Sequence, residues 1–293
     1  MRISTIKLSV RLGAISSNEL FGKIDPGAKA THLDLTDVLD ITPAGMLYIL
    51  LAAKWLQQLD QRVTMALPRD SRLVWKLQRL HVLGQLHALD VGYSGRTYNL
   101  KRFGDIELPY YKTDRVDTEE QSRRIGGDLY KHLLGMAGYP NAEAEAVGNV
   151  VTELCGNLWE HSDSPGGGYL TIQVVQTTGR LSTIVALGDV GIGLRRSLAS
   201  YFKKHGLAPS SDADVIREAI RPGVSSRYMD RASKRGEGLA NIVRLTQKYG
   251  YHLGIRTGDT FLHFTPLPAQ SSYVGVPFPG TQVFIALEHQ VLT

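Results

Sequence analysis

At 293 residues the chain suits two medium domains better than one, and a hydrophobic fraction of 43% suffices to bury sizeable cores. No run of about 18 apolar residues occurs, so nothing reads as a membrane span; MRISTIKLSVRLGA at the N-terminus lacks the longer apolar core and cleavage site of a secretory signal. The formal net charge of +5 is unevenly spread, because residues 195–235 hold ten Lys or Arg and four Asp or Glu, a local balance of +6.

Residues 30–36 (ATHLDLT) alternate apolar and polar, as a half-buried strand does. Pro43 suits the first turn of a helix, and Ala44–Leu59 carries a broad apolar face. RVTMAL at 62–67 predicts a second strand, closed by Pro68. Asp70 or Ser71 can cap a helix bearing Leu73, Val74, Leu77, Leu80 and Val82, and HALDV at 87–91 predicts a third strand. Strand and helix in alternation imply a small parallel-type α/β layer.

Residues 92–113 have no clear period, and the interdomain connection is expected there. The expected division is residues 1–92, a linker at 93–115 and a second domain at 116–293. In the second domain, helices are predicted over 117–137 and 141–161, split by Gly138, Pro140 and Asn141. Strands follow at 169–177 and 181–187, turning at Thr178–Gly179. A helix near 194–204 leads into a long polar stretch to about 235. A helix over 237–249 and strands near 251–257, 260–266 and 281–287 complete the pattern. No internal repeat or low-complexity tract is present.

Four short motifs carry chemistry. Glu153, Asn157 and His161 are spaced by four, so they share one helical face. An amide oxygen can ligate magnesium without adding charge beside a triphosphate, and a carboxylate one turn earlier can polarise a water or hydroxyl for attack on phosphorus. Read singly, this spacing also describes a solvated helix face. Asp189, Gly191 and Gly193 follow an apolar strand in ALGDVGIGL; a carboxylate there can accept from an adenine amine while the glycines admit base and ribose, or the segment is only a turn. Gly236 and Gly238 open a helix at RGEGLANI, ahead of Leu239. Their N–H groups favour phosphate, and Lys234 or Arg235 can reach a terminal one; a flexible loop is the plain alternative. Thr281 follows Gly280 just before the last strand, where its hydroxyl can meet the adenine edge.

Other signals are negative or plain. No GxxxxGK[ST] occurs, and neither GxG pair completes GxGxxG. His161 has no second His or Cys at ligand spacing, and Cys155, the one cysteine, reads as a small packed residue that cannot form an internal disulfide. A reducing cytoplasm is the expected home.

In order and spacing, TELCGNLWEHS, DVGIGL, RGEGLANI and GTQVFIAL resemble the ATP-binding domain of the GHKL superfamily, shared by DNA gyrase, histidine kinases and anti-sigma-factor serine kinases. The resemblance covers residues 141–287, about half of the chain. It implies a Bergerat fold, a mixed sheet with helices on one face and a mobile lid between the second and third motifs. It further implies that Asn157 coordinates magnesium, Glu153 is the activating base, Asp189 reads adenine, and Gly236 and Gly238 meet phosphates. The basic 195–235 segment would contain the lid and attract polyphosphate, or it is a solvated loop.

Residues 30–91, through HLDLTDVLDITPAGMLYILLA, resemble a STAS domain, the fold of anti-sigma-factor antagonists. Asp40 and Thr42 fall on that family's Asp and phosphorylatable Ser, whereas Pro43 and Ala44 depart from its turn. Thr42 is therefore either a phosphoacceptor or a helix cap. The fold class expected overall is α/β: a STAS-like α/β domain followed by a Bergerat-fold mixed sheet.

The function expected is an ATP- and magnesium-dependent regulatory switch, an ATPase or a serine/threonine protein kinase, acting with a STAS-type or regulatory protein partner or by pairing of protomers. A scaffold that binds ATP without chemistry is the alternative. A histidine kinase-like protein is another, although His81, His87 and His132 lack the expected acidic neighbour. No nucleic-acid motif accompanies the basic segment.

Overall fold

The computed structural model describes residues 2–13, 17–98, 111–135, 139–160, 167–177, 180–224, 238–264 and 270–290. The protein is an α/β fold with both parallel and antiparallel sheets. It divides into two compact units, Met1–Arg115 with Tyr169–Gln173, and Val116–Gly168 with Val174–Thr293.

In the first unit the strands β1 (Ile3–Lys7), β2 (Arg11–Leu12), β3 (Ala30–Asp34), β4 (Asp40–Ile41), β5 (Arg62–Ala66) and β6 (Gly92–Ser94) alternate with helices α1 (Ser17–Gly22), α2 (Pro43–Gln58), α3 (Ser71–Arg79) and α4 (Val82–Ala88). The main sheet runs β1-β3-β5-β6, parallel throughout, and β2 pairs with β4 in a separate two-stranded ribbon. Parallel pairing requires crossover helices, which α2 and the α3–α4 pair supply. Every residue of α2 from Pro43 to Lys54 is buried, as expected of a helix that is apolar on all sides.

Two expectations fail in this unit. The predicted helix after Asp70 is two helices, because His81 adopts a left-handed conformation (φ 58°) between them. Residues 87–91 are not a strand. Val82, Leu83 and Leu86 bury at helical spacing, α4 runs to Ala88, and Asp90 (φ 50°) turns the chain into β6. Strand β1, with only Ile6 fully buried, gave no legible alternation. Residues 92–115 also contain more regular structure than expected, since β6 lies there and β7 (Tyr111–Val116) begins there.

The second unit contains helices α5 (Glu119–Gly135) and α6 (Asn141–Glu160), followed by β8 (Gly168–Thr177, of which Tyr169–Gln173 fall in the first unit), β9 (Arg180–Gly188), α7 (Gly193–Ser197), α8 (Ala199–His205), α9 (Asp212–Ala219), α10 (Gly238–Tyr249), β10 (His252–Phe264) and β11 (Gln270–Gln290). The five-stranded sheet has the order β10-β11-β9-β8-β7. Its antiparallel register aligns Leu253, Ile285 and Val185, and next to them Ile255, Val283 and Leu187. All six are buried on one face, which is the period-2 consequence of the pleat. Helices α6 and α10 lie against β9 and β10.

Helices α5 and α6 cross at two glycines. A methyl group on Gly126 would fall 2.5 Å from the Gly148 carbonyl oxygen, and one on Gly148 would fall 2.9 Å from that of Gly126. The Thr152 hydroxyl donates to the Gly148 carbonyl at 2.9 Å, tying that approach into α6. No helix among the described residues is long and apolar enough to cross a membrane.

Four further differences concern the segment around the second motif and the final hairpin. The helix predicted over 194–204 breaks at Leu198 into α7 and α8. The polar stretch after it contains α9, whose start is a capping box between Ser211 and Asp214 and whose Val215, Ile216 and Ala219 are buried. Strand β10 is continuous where two strands were expected, and β11 begins eleven residues before the predicted 281, at Gln270. Pro277 and Pro279 disguise that first half. They sit where the β10–β11 register shifts, between the Gly258–Phe278 pair and its neighbours Thr257–Thr281 and Thr260–Val274, so the ladder loses no donor it needs.

Candidate functional site

Asp189 lies immediately after β9 and is 4% exposed. Its backbone N–H donates to the Thr281 carbonyl at 3.0 Å, and its Oδ1 accepts the Gly191 N–H at 2.7 Å. The second and fourth motifs are thus bonded to one another. Gly280 makes this approach possible. It has φ +95°, and a methyl group there would fall 2.3 Å from the Asp189 carbonyl oxygen and 2.6 Å from Asp189 Oδ1.

Thr257, which belongs to none of the four motifs, knits the same region. Its hydroxyl donates to the Gly280 carbonyl at 3.1 Å and accepts the Leu194 N–H at 3.0 Å. Gly193, at φ +70°, opens α7 directly above it. Thr257 is also the register partner of Thr281. A threonine where two strands change register was the available signal, but only the pairing reveals its meaning.

The first motif joins this cluster through Gly168. A methyl group there would fall 2.5 Å from the Gly188 carbonyl oxygen and 3.1 Å from Leu158 Cδ1, so the residue after Asn157 and the residue before Asp189 meet across one glycine. Glu153 and Asn157 are both half-buried on α6, one turn apart. Cys155 between them is fully buried, in keeping with a packing role. Glu153 Oε2 accepts a hydrogen bond from Asn241 Nδ2 at 3.4 Å, which joins α6 to the first turns of α10.

Among the described residues helix α10 runs from Gly238, within the third motif. Leu239 packs on a small separate cluster of Leu198, Phe202, Val215, Ala219 and Val224, together with Leu194 and Tyr201. Helices α7, α8 and α9 therefore share a mini-core adjoining both the second and the third motif. It is fastened to β10 by Asp212, which accepts from Arg195 Nε at 2.7 Å and from the Asp259 N–H at 3.2 Å. Asp214 is held down at about 2, well below the usual carboxylate range, mainly by hydroxyl donors from Ser210 and Ser211. Lys234, Arg235 and Gly236 lie outside the described residues, as does His161.

Thr42 caps α2. Its Oγ1 accepts the Gly45 N–H at 3.2 Å and donates to the Leu12 carbonyl at 3.1 Å. The hydroxyl both accepts and donates, as the capping alternative expects.

Among the described residues, no three His, Cys, Asp or Glu side chains gather as a metal site. Asn157 offers a single neutral oxygen, which suits a metal whose remaining ligands come from phosphate and water. No family model matches the chain, and no curated protein matches it at a significant level.

Proposed function

We propose that the second unit binds ATP with magnesium as a GHKL-type nucleotide domain, that the first unit is a STAS-like interaction module, and that the chain is a nucleotide-dependent regulatory switch. The observation that carries this reading is the convergence of motifs far apart in sequence. Asp189 is bonded to Thr281, the Gly188–Asp189 and Asn157–Leu158 segments meet across Gly168, and Glu153 is bonded to Asn241 on the helix that Gly238 opens. Four motifs used only as turns, caps or solvated faces would have no reason to share one neighbourhood.

The roles follow from the chemistry of each group. The fixed Asp189 carboxylate accepts from the adenine amine, with Gly191, Gly193 and Thr281 around the base. Gly238 and Leu239 present backbone at the start of α10 to phosphate, and the expected roles of Gly236, Lys234 and Arg235 at the phosphates rest on the motif alone. Asn157 would hold magnesium, which neutralises charge on the phosphates. Glu153 takes the proton from the attacking hydroxyl or water. The mini-core of α7–α9 acts as the lid, and its basic surroundings favour polyphosphate.

Protein serine/threonine kinase activity in trans is favoured over modification of Thr42, because that hydroxyl already caps α2 and donates to Leu12. Terminally labelled ATP tests the reading with wild type, Glu153→Ala and Thr42→Ala. Label should pass to water or to an added protein partner in wild type and Thr42→Ala alike, and should stop with Glu153→Ala. Intact ATP bound by all three would leave a nucleotide-gated scaffold in its place. Absence of magnesium-dependent nucleotide binding would end the proposal.

A further inference from the structure

We propose that Asn241 is a positioning residue for the Glu153 carboxylate, itself held in one orientation by Arg244, so that α10 couples its phosphate-facing start to the base. The inference rests on the reading of Glu153 as that base.

The geometry comes from three residues. Asn241 Nδ2 donates to Glu153 Oε2 at 3.4 Å, and the Arg244 guanidinium donates to Asn241 Oδ1. A guanidinium can only donate and an ionised carboxylate can only accept. The amide must therefore turn its oxygen to Arg244 and its NH2 to Glu153, and the reverse assignment satisfies neither neighbour. Asn241 and Arg244 are three residues apart on α10 and share a face, and Asn241 itself lies three residues after Gly238. Glu153 and Asn241 are half-buried, whereas Arg244 is exposed.

That arrangement suits a base. A lysine or arginine in contact with Glu153 would fix it equally well but would lower its affinity for the proton it must take. A neutral amide fixes it at less cost to basicity and engages Oε2. Hydrogen bonds of this kind are often long before ligand binds and tighten afterwards. Because Asn241 rides one turn behind Gly238, a phosphate drawn to the helix start also sets the donor that aims Glu153.

The test uses the whole chain with Asn241→Ala, Asn241→Asp and Arg244→Ala. Calorimetry measures the affinity of a non-hydrolysable ATP analogue with magnesium. Phosphate release or transfer is followed against pH. The carboxyl carbon of Glu153 is titrated by NMR in nucleotide-free protein. Asn241→Ala should keep analogue affinity within about twofold while kcat falls on the order of a hundredfold, the loss typical of a misplaced reacting group. Arg244→Ala, at an exposed position, should lower kcat in the same direction by less. Asn241→Asp should move both the acid limb of the rate profile and the Glu153 titration to higher pH, because a second carboxylate disfavours the charged base.

Wild-type turnover with unchanged kcat in Asn241→Ala and an unmoved Glu153 titration in Asn241→Asp would overturn the inference and leave the nucleotide reading standing. Wild type that binds the analogue but never turns over removes the base role, and the inference with it. Wild type that binds no nucleotide defeats the parent reading instead.

Discussion

Replacing Gly280 by alanine probes the junction between the second and fourth motifs. The new methyl group would sit 2.3 Å from the Asp189 carbonyl oxygen, 2.8 Å from its carbonyl carbon and 2.6 Å from its Oδ1, at a backbone φ of +95°. Two of those atoms are main chain, so the clash cannot be relieved by rotating a flexible side chain. A non-glycine residue in so sparsely populated a conformation costs about 1–3 kcal/mol. Forcing a methyl into a filled space costs about 1–3 kcal/mol more. The sum, about 2–6 kcal/mol, is a large part of the roughly 5–15 kcal/mol that holds a domain folded. For a unit of this size each kcal/mol shifts the melting temperature by about 2–4 °C, so thermal unfolding should fall by roughly 4–24 °C. Gly127→Ala is the control, since nothing lies within 4 Å of its added methyl on α5. It should stabilise by about 0.5–1 kcal/mol through helix propensity alone. Thermal and urea unfolding of the two variants beside wild type decide the matter. A Gly280→Ala protein that melts with wild type would mean that Asp189 and Gly280 do not approach as described, and the bond between the two motifs would go with it.

Three further outcomes are expected. Asp212→Ala removes the common acceptor of Arg195 and the Asp259 N–H, so hydrogen exchange across α7–α9 should accelerate by the equivalent of about 1–3 kcal/mol with little change in global melting; protection equal to wild type would remove Asp212 as the fastening. Thr42→Ala should lower stability by about 1 kcal/mol in urea unfolding, the usual loss of a threonine cap, and an unchanged midpoint would contradict the capping geometry. The Tyr139 phenol is pushed from 10.0 up to about 12, chiefly by burial. Its folded value lies above its unfolded one, so its contribution is complete below about pH 10 and is lost as pH rises through about 12. Two units correspond to roughly 2–3 kcal/mol at most, and Tyr139→Phe should flatten the alkaline limb of a stability profile by that order.

The Asp189-x-Gly-x-Gly segment, the Glu153–Asn157 spacing and the Gly-Thr before the last strand were legible because each is local: a strand end, a helical repeat, a turn. Helix α6 and the cap of α2 were legible for the same reason. Thr257 was not, because its importance lies in the Leu194 N–H and the Gly280 carbonyl, far away in sequence. Asn241 likewise reads as an ordinary helix residue until Glu153 is beside it. The first half of β11 was hidden by prolines that a register shift makes harmless, and the end of α4 was mistaken for a strand because a short apolar run fits either period.

Periodicity and capping chemistry along the chain determined which segments become helix or strand, and the order of motifs determined which residues were worth watching. Sequence order carries no distance, however. Only tertiary packing brought Gly168 between Leu158 and Gly188, pressed Gly280 onto Asp189 and set Asn241 against Glu153. Such contacts depend on how sheets twist and helices cross, which is decided by the burial of the whole core rather than by any one stretch of residues.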